Sequence, residues 1–181
     1  MTEREGERVG AAGGASWTAG KARLFFGILS AVIALDVTTK LLVQRTFRLY
    51  ERVEVIGDYL RLTYIHNPGA AFGIHVGEYS RIIFLVLSVV ALVALAAMYW
   101  ATPAKDRIRL VSIALICGGA IGNLIDRIRS RAGVVDFLDV GFGDLRWPVF
   151  NVADMAVTTG AIFLALSLWQ EEQEPRREGG G

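Results

Sequence analysis

Two aspartates, Asp136 and Asp154, stand out in this 181-residue sequence because of what surrounds them. Asp136 is bracketed by Val134, Val135, Phe137 and Leu138; Asp154 follows Pro148 and Asn151 at the start of an apolar run. A carboxylate among such neighbours belongs at a buried edge, where its ionised form is costly. If the segment between them folds back, the two carboxylates meet and cannot both ionise cheaply, so their proton affinities split. One then takes a proton from a water while the other gives one to a carbonyl or a leaving amine, as in an aspartic peptidase. The pair titrates as a unit, and residue types alone do not assign the two roles. Asn151-x-x-Asp154 also has a purely local explanation, an N-cap with an acid in the first helical turn.

Further polar side chains cluster around these two. Asn123, Asp126 and Arg127 are spaced three and four apart at the end of an apolar run, so they project from one helix face. A snorkelling helix end accounts for Arg127 but not for the Asn123 amide deeper in. Asp36 and Lys40 lie four apart within another apolar run, and a buried ion pair that orients its helix and supports a site is expected. His66 and His75 are isolated; no HExxH and no Ser-His or Cys-His arrangement is evident, and His66 is expected to be a loop or rim residue. Cys117, the single cysteine, excludes an internal disulfide and a multi-Cys zinc site and is expected to be a small buried side chain. No metal and no cofactor are expected. Gly141-Phe-Gly-Asp144 matches the GxGD signature of presenilin-type intramembrane proteases, but it lies in a polar stretch before Trp147-Pro148 and is expected to be a turn.

The elements that must hold these residues are apolar helices. The composition is 53% hydrophobic and 20% charged, with the apolar residues gathered in runs rather than stripes. Runs over 24–43, 82–100, 108–125 and 152–169 are long enough to cross a hydrocarbon core of about 30 Å. Gly118, Gly119 and Gly122 permit close approach of the third helix to its neighbours. Residues 1–20 and 170–181 are charged and Gly-rich and are expected to be disordered tails flanking one domain over 21–169. Between the spans, 44–81 and 126–151 are the longer polar segments. Arg52–Ile56 and Tyr59–Ile65 alternate at period two around Gly57-Asp58, which predicts strand, turn, strand. The run from Asn67 to Gly73 favours turns, and residues 128–150 are expected to form a hinge-like strap.

The net charge of +1 argues against a nucleic-acid partner. Lys and Arg divide equally between the two sides of the four spans; only the dense cluster over 101–109 favours cytoplasmic termini. A small transporter or proton channel would also use intramembrane Asp, Lys and Asn, though no internal repeat is seen. A non-enzymatic membrane scaffold, with Asp154 only a cap, is the other alternative.

Five motifs together resemble the bacterial lipoprotein signal peptidases, the signal peptidase II family of aspartic peptidases. They are Asp36-x-x-x-Lys40, Asn67-Pro-Gly-Ala-Ala-Phe72, Gly118-Gly-Ala-Ile-Gly-Asn-Leu-Ile-Asp-Arg127, Val134-Val-Asp-Phe137 and Phe150-Asn-Val-Ala-Asp154. The resemblance covers the chain from about Leu24 to Trp169. It implies an α-helical integral membrane protein, with four transmembrane helices, a small extracytoplasmic β-cradle and a short amphipathic helix at Gly73–Ser80. It implies an endopeptidase that cleaves prolipoproteins before a diacylglyceryl-modified lipobox cysteine. Asp136 and Asp154 would be the catalytic dyad. Asn123, Arg127 and Asn151 would line the substrate pocket, with Asp36, Lys40, Asn67, Gly69, Phe72 and Asp126 binding or supporting. Its partners would be prolipoprotein signal peptides and membrane lipids, with no obligatory protein partner. Its place would be the bacterial cytoplasmic membrane, with both termini cytoplasmic and the site toward the outer leaflet.

Overall fold

The computed structural model describes residues 3–69 and 77–173. Among these, the helices are α1 (Glu3–Thr46), α2 (Ser80–Ala101), α3 (Arg107–Arg129) and α4 (Val152–Gln173), and the strands are β1 (Arg52–Ile56), β2 (Leu60–Asn67), β3 (Val134–Phe142) and β4 (Leu145–Arg146). Ala19–Thr46 of α1 and the whole of α2, α3 and α4 are long and apolar enough to span a bilayer. Many of their large apolar side chains, including Ile82, Val86, Val90 and Val93 of α2, are exposed and face where lipid would lie. The chain is a multi-pass membrane protein.

α3 is the central helix, packing against α1, α2 and α4. Its small residues make this possible. A Cβ on Gly119 would meet the backbone of Ala153 on α4, and one on Gly122 would meet the Asp36 carboxylate on α1. At the end of the bundle away from the site, Phe25, Leu95, Tyr99, Leu110, Ile113, Ala114 and Cys117 form a continuous apolar core. There Lys21 Nζ donates to the carbonyls of Tyr99 and Thr102, both at 2.6 Å, and closes the C-terminus of α2. Arg109, the charge near the start of α3, pairs with Glu171 at 2.6 Å and with its N-cap Asp106 at 3.3 Å.

At the other end the strands pair antiparallel in the order β1-β2-β3-β4. The first two strands lie close to where alternation predicts them. β3 does not: residues 134–142 are a strand, not part of a hinge-like strap. Most of its residues are buried whichever way they point, so it has no hydrophobic alternation to read. Of the Gly141–Asp144 segment, expected as a turn, Gly141 and Phe142 end β3 in pairing with β4, and Gly143-Asp144 make the turn, with Gly143 at φ +53°. Asp139, within β3, is buried. Only 4% exposed, it accepts from Arg146 Nε at 2.6 Å and from Thr63 Oγ1 at 3.2 Å.

Two tail expectations change. α1 begins at Glu3 rather than near Leu24, so the backbone of 3–20 is helical and not a disordered tail. Five glycines in this stretch oppose a helix, so its helical backbone is an extension of the adjoining span rather than a local preference. α4 likewise continues to Gln173, and residues 174–181 lie outside the described residues. The short helix expected at Gly73–Ser80 lies mostly outside them too; Gly77–Tyr79 is a 3-10 turn that leads into α2 at Ser80.

Candidate active site

Backbone pairing brings Asp136 and Asp154 together. In the β2–β3 register Ile65 faces Asp136 and Asn67 faces Val134, so Asn67 and Asp136 are diagonal neighbours on one sheet face. Asn67 Nδ2 donates to Asp136 Oδ2 at 2.9 Å. Two residues along β3, Leu138 exchanges both backbone hydrogen bonds with Phe150, at 2.8 and 3.0 Å. This bridge delivers the chain into α4 beside Asp136.

Asn151 is the N-cap of α4, and its local explanation holds in full. Asp154 N–H donates to Asn151 Oδ1 at 3.0 Å, and Asn151 N–H donates to Asp154 Oδ2 at 3.2 Å, a reciprocal capping box. The same Asn151 also serves the other carboxylate: its Nδ2 donates to Asp136 Oδ1 at 2.6 Å and to the Val135 carbonyl at 3.3 Å. One fully buried asparagine therefore touches both aspartates. Cap and site are the same structure.

α3 supplies the second asparagine. Asn123 Nδ2 donates to Asp154 Oδ1 at 2.8 Å, while its Oδ1 accepts from Asn151 Nδ2 at 3.1 Å and from Lys40 Nζ at 2.9 Å. Every oxygen of the two carboxylates thus accepts an amide N–H.

Behind Asn123 lies the expected ion pair, with a third member. Lys40 Nζ is 2.8 Å from Asp36 Oδ2 and 3.0 Å from Asp126 Oδ2. Asp36 also accepts the Ala153 N–H of α4 at 2.9 Å, and Asp126 accepts the Val135 N–H of β3 at 3.2 Å. The network ties α1, α3, α4 and the sheet to one buried ammonium. Hydrogen bonds at all three carboxylate and amide partners offset the desolvation that a charge there incurs.

Arg127 is buried at the edge of the site. Its Nη2 donates to the Gly69 carbonyl at 3.0 Å, and its guanidinium lies over the Phe84 ring at 5.9 Å. Gly69 N–H donates to Asn67 Oδ1 at 2.9 Å, which turns the Asn67 amide toward Asp136. Phe72 and His75 lie outside the described residues. Of the two expectations for His66, loop or rim, the loop fails and the rim holds: it occupies β2 and lines a cavity.

Burial separates the two aspartates. Asp136 is 1% exposed. Burial, and then the charge of Asp154, push its pKa up to about 7 from the ordinary 3.8, against the pull of Asn67, Asn151 and Lys40. Asp154 instead forms part of the wall of a cavity of about 400 Å³, with Trp147, Phe150, Met155 and Thr158. A second cavity, of about 310 Å³, lies against His66, Asn67 and Gly69. Pro148 and Val149 wall both. A buried carboxyl holding a proton near neutrality, beside a second carboxyl group that lines a cavity, can deliver and collect a proton across a bound amide.

The family model described as "Signal peptidase (SPase) II" matches residues 28–170. A lipoprotein signal peptidase of Geobacter metallireducens is 39% identical, covering 84% of this chain and 95% of the relative. One from Halothermothrix orenii is 45% identical over 81% of this chain and 95% of its own. A solved bacterial membrane enzyme superposes with a TM-score of 0.73 at 30% identity, over 87% of this chain and 94% of that one. Another gives 0.67 at 32% identity, over 81% and 93%.

Proposed function

The chain belongs to the signal peptidase II family, and on that premise we propose that Asp136 and Asp154 are the catalytic dyad with which it removes signal peptides from prolipoproteins. The observation that carries the assignment is the bridging role of Asn151, which is fully buried and hydrogen-bonds both carboxylates.

The scissile amide lies between the aspartates, before the diacylglyceryl-modified cysteine. Asp154 takes a proton from a water, whose oxygen bonds to the amide carbon, while Asp136 gives its proton to the carbonyl oxygen. The tetrahedral diol then collapses: the C–N bond breaks, Asp154 passes its proton to the leaving nitrogen, and Asp136 recovers one from a diol hydroxyl. Asn67, Asn123 and Asn151 hold the carboxylates in place throughout, and Arg127 holds the bend at Gly69, just after β2, at the site's rim. The protein works in the bacterial cytoplasmic membrane with both termini cytoplasmic. The sheet and dyad, at the opposite ends of the spans, then face the outer leaflet.

The test is cleavage of a diacylglyceryl-modified prolipoprotein peptide by purified protein in lipid or detergent. Asp136→Asn and Asp154→Asn should each lower the rate by about 10²–10⁴-fold while inserting and melting near wild type. Full activity in either variant removes that residue from the dyad.

A further inference from the structure

We infer that the groove between the start of α3 and the end of α4 is a binding site for an anionic phospholipid, with its acyl chain along the groove and its phosphate on Arg107. The site lies at the end of the bundle away from the dyad, and it does not depend on the peptidase reading.

Ile108 and Val111 of α3 and Phe163 and Leu166 of α4 line a cavity of about 360 Å³. It is open rather than sealed, because Ile108, Phe163 and Leu166 are all exposed. Both helices are long and apolar enough to cross a bilayer, so the medium along such a groove is acyl chain and not water.

Polarity changes along the groove in one direction. Arg107, the first residue of α3, and Gln170, in the last turn of α4, line its outer end. Val111 lies about 6 Å further along its helix and Phe163 about 10 Å. A groove that is charged at the mouth and apolar within matches a phospholipid, with phosphate outward and chain inward.

Charge selects the headgroup. Arg109 is already taken, by Asp106 at 3.3 Å and by Glu171 at 2.6 Å. Arg107 is exposed and has no carboxylate partner among the described residues. Glu172, the other acid described at this end of α4, lies about 200° round the helix from Gln170 and so on another face. Gln170 brings an amide that can donate without adding negative charge. A free guanidinium beside a neutral donor suits phosphate oxygens, which its planar fork can grip in pairs.

The experiment titrates the purified full-length protein, in an uncharged detergent, with dioleoyl phosphatidylglycerol or dioleoyl phosphatidylcholine. Native mass spectrometry reads the lipid bound. Wild type should bind the anionic lipid about five-fold tighter. Arg107→Gln should bring that ratio to near one. Lys105→Gln removes a charge from the same end of the protein but outside the groove, and should leave the ratio close to wild type. Val111→Phe fills the groove while keeping Arg107, and should weaken the anionic lipid. If it does not fold, Leu166→Phe fills the groove from α4. Soluble glycerol phosphate should not displace the lipid. Equal binding of the two lipids by wild type overturns the inference, as does a ratio that survives Arg107→Gln. Equal losses in Arg107→Gln and Lys105→Gln would mean general surface charge, and displacement by glycerol phosphate would mean a headgroup site without a groove; either overturns it. Every readout is binding, so none of these results bears on the dyad.

Discussion

Lys40 Nζ donates to the side-chain oxygen of Asn123 at 2.9 Å, although 83 residues separate them in the chain. An ammonium cannot accept a hydrogen bond, so this contact fixes which end of the Asn123 amide is oxygen. The nitrogen end must then face Asp154, where it donates at 2.8 Å. A cation on the first helix thus orients a donor on the third toward a carboxylate on the fourth.

Lys40→Met should therefore damage both fold and function. It leaves Asp36 and Asp126 without their cation, and breaking a buried pair from one side costs about 3–5 kcal/mol. Thermal unfolding in detergent should show the loss, and cleavage should fall with it. The double variant Asp36→Asn/Lys40→Met, which leaves one fewer orphaned charge, should recover part of the stability.

The raised pKa of Asp136 gives a pH dependence with a definite sign. The folded state binds the Asp136 proton more tightly than the unfolded chain does, about 7 against 3.8. Its contribution to stability is complete below pH 3.8 and is lost as pH rises through 7. Activity should fall over the same alkaline side, as the acid loses its proton. A profile of kcat/KM against pH should show that limb near 7, and a limb two or more units away would contradict the assignment.

Asn151→Ala should separate stability from catalysis. Loss of the N-cap costs about 1 kcal/mol, a small shift in melting temperature. The same change removes donors from Asp136 and disturbs the seat of Asp154, so kcat should fall much further than a general destabilisation explains. Equal, modest losses in both measurements would reduce Asn151 to a cap.

Gly122→Ala tests the packing behind the site. The added Cβ would press on the Asp36 carboxylate, which is itself held by Lys40 and the Ala153 N–H. Overpacking of this kind costs about 1–3 kcal/mol. The variant should melt lower than wild type, and an unchanged melting temperature would show that α1 can move aside.

The sequence shows the spans and the site residues for the same reason: polar groups are conspicuous inside long apolar runs. Asp36 and Lys40, four apart, had to share a face, and their pairing follows. Asp126 is harder. Its spacing gives its face, but not that it accepts the Val135 N–H and fastens β3 to α3. β3 itself is hidden because its residues are covered on both faces, so no alternation marks it. Arg146 and Asp139 look like ordinary loop charges until the hairpin places them 2.6 Å apart. Pairing between separate elements decides all three, and the pattern within any one segment carries no record of it.

The hydrogen bond from the Ala153 N–H to Asp36 joins residues 117 positions apart, the first span to the start of the last. A chain made from its N-terminus holds the Asp36 carboxylate ready long before α4 exists to receive it. Until the fourth helix enters the membrane, Asp136 lacks Asn151 and has no second carboxylate beside it. With Asp136 and Asp154 as the proposed dyad, the site is therefore incomplete until the last span is in place, and its assembly coincides with the completion of topology.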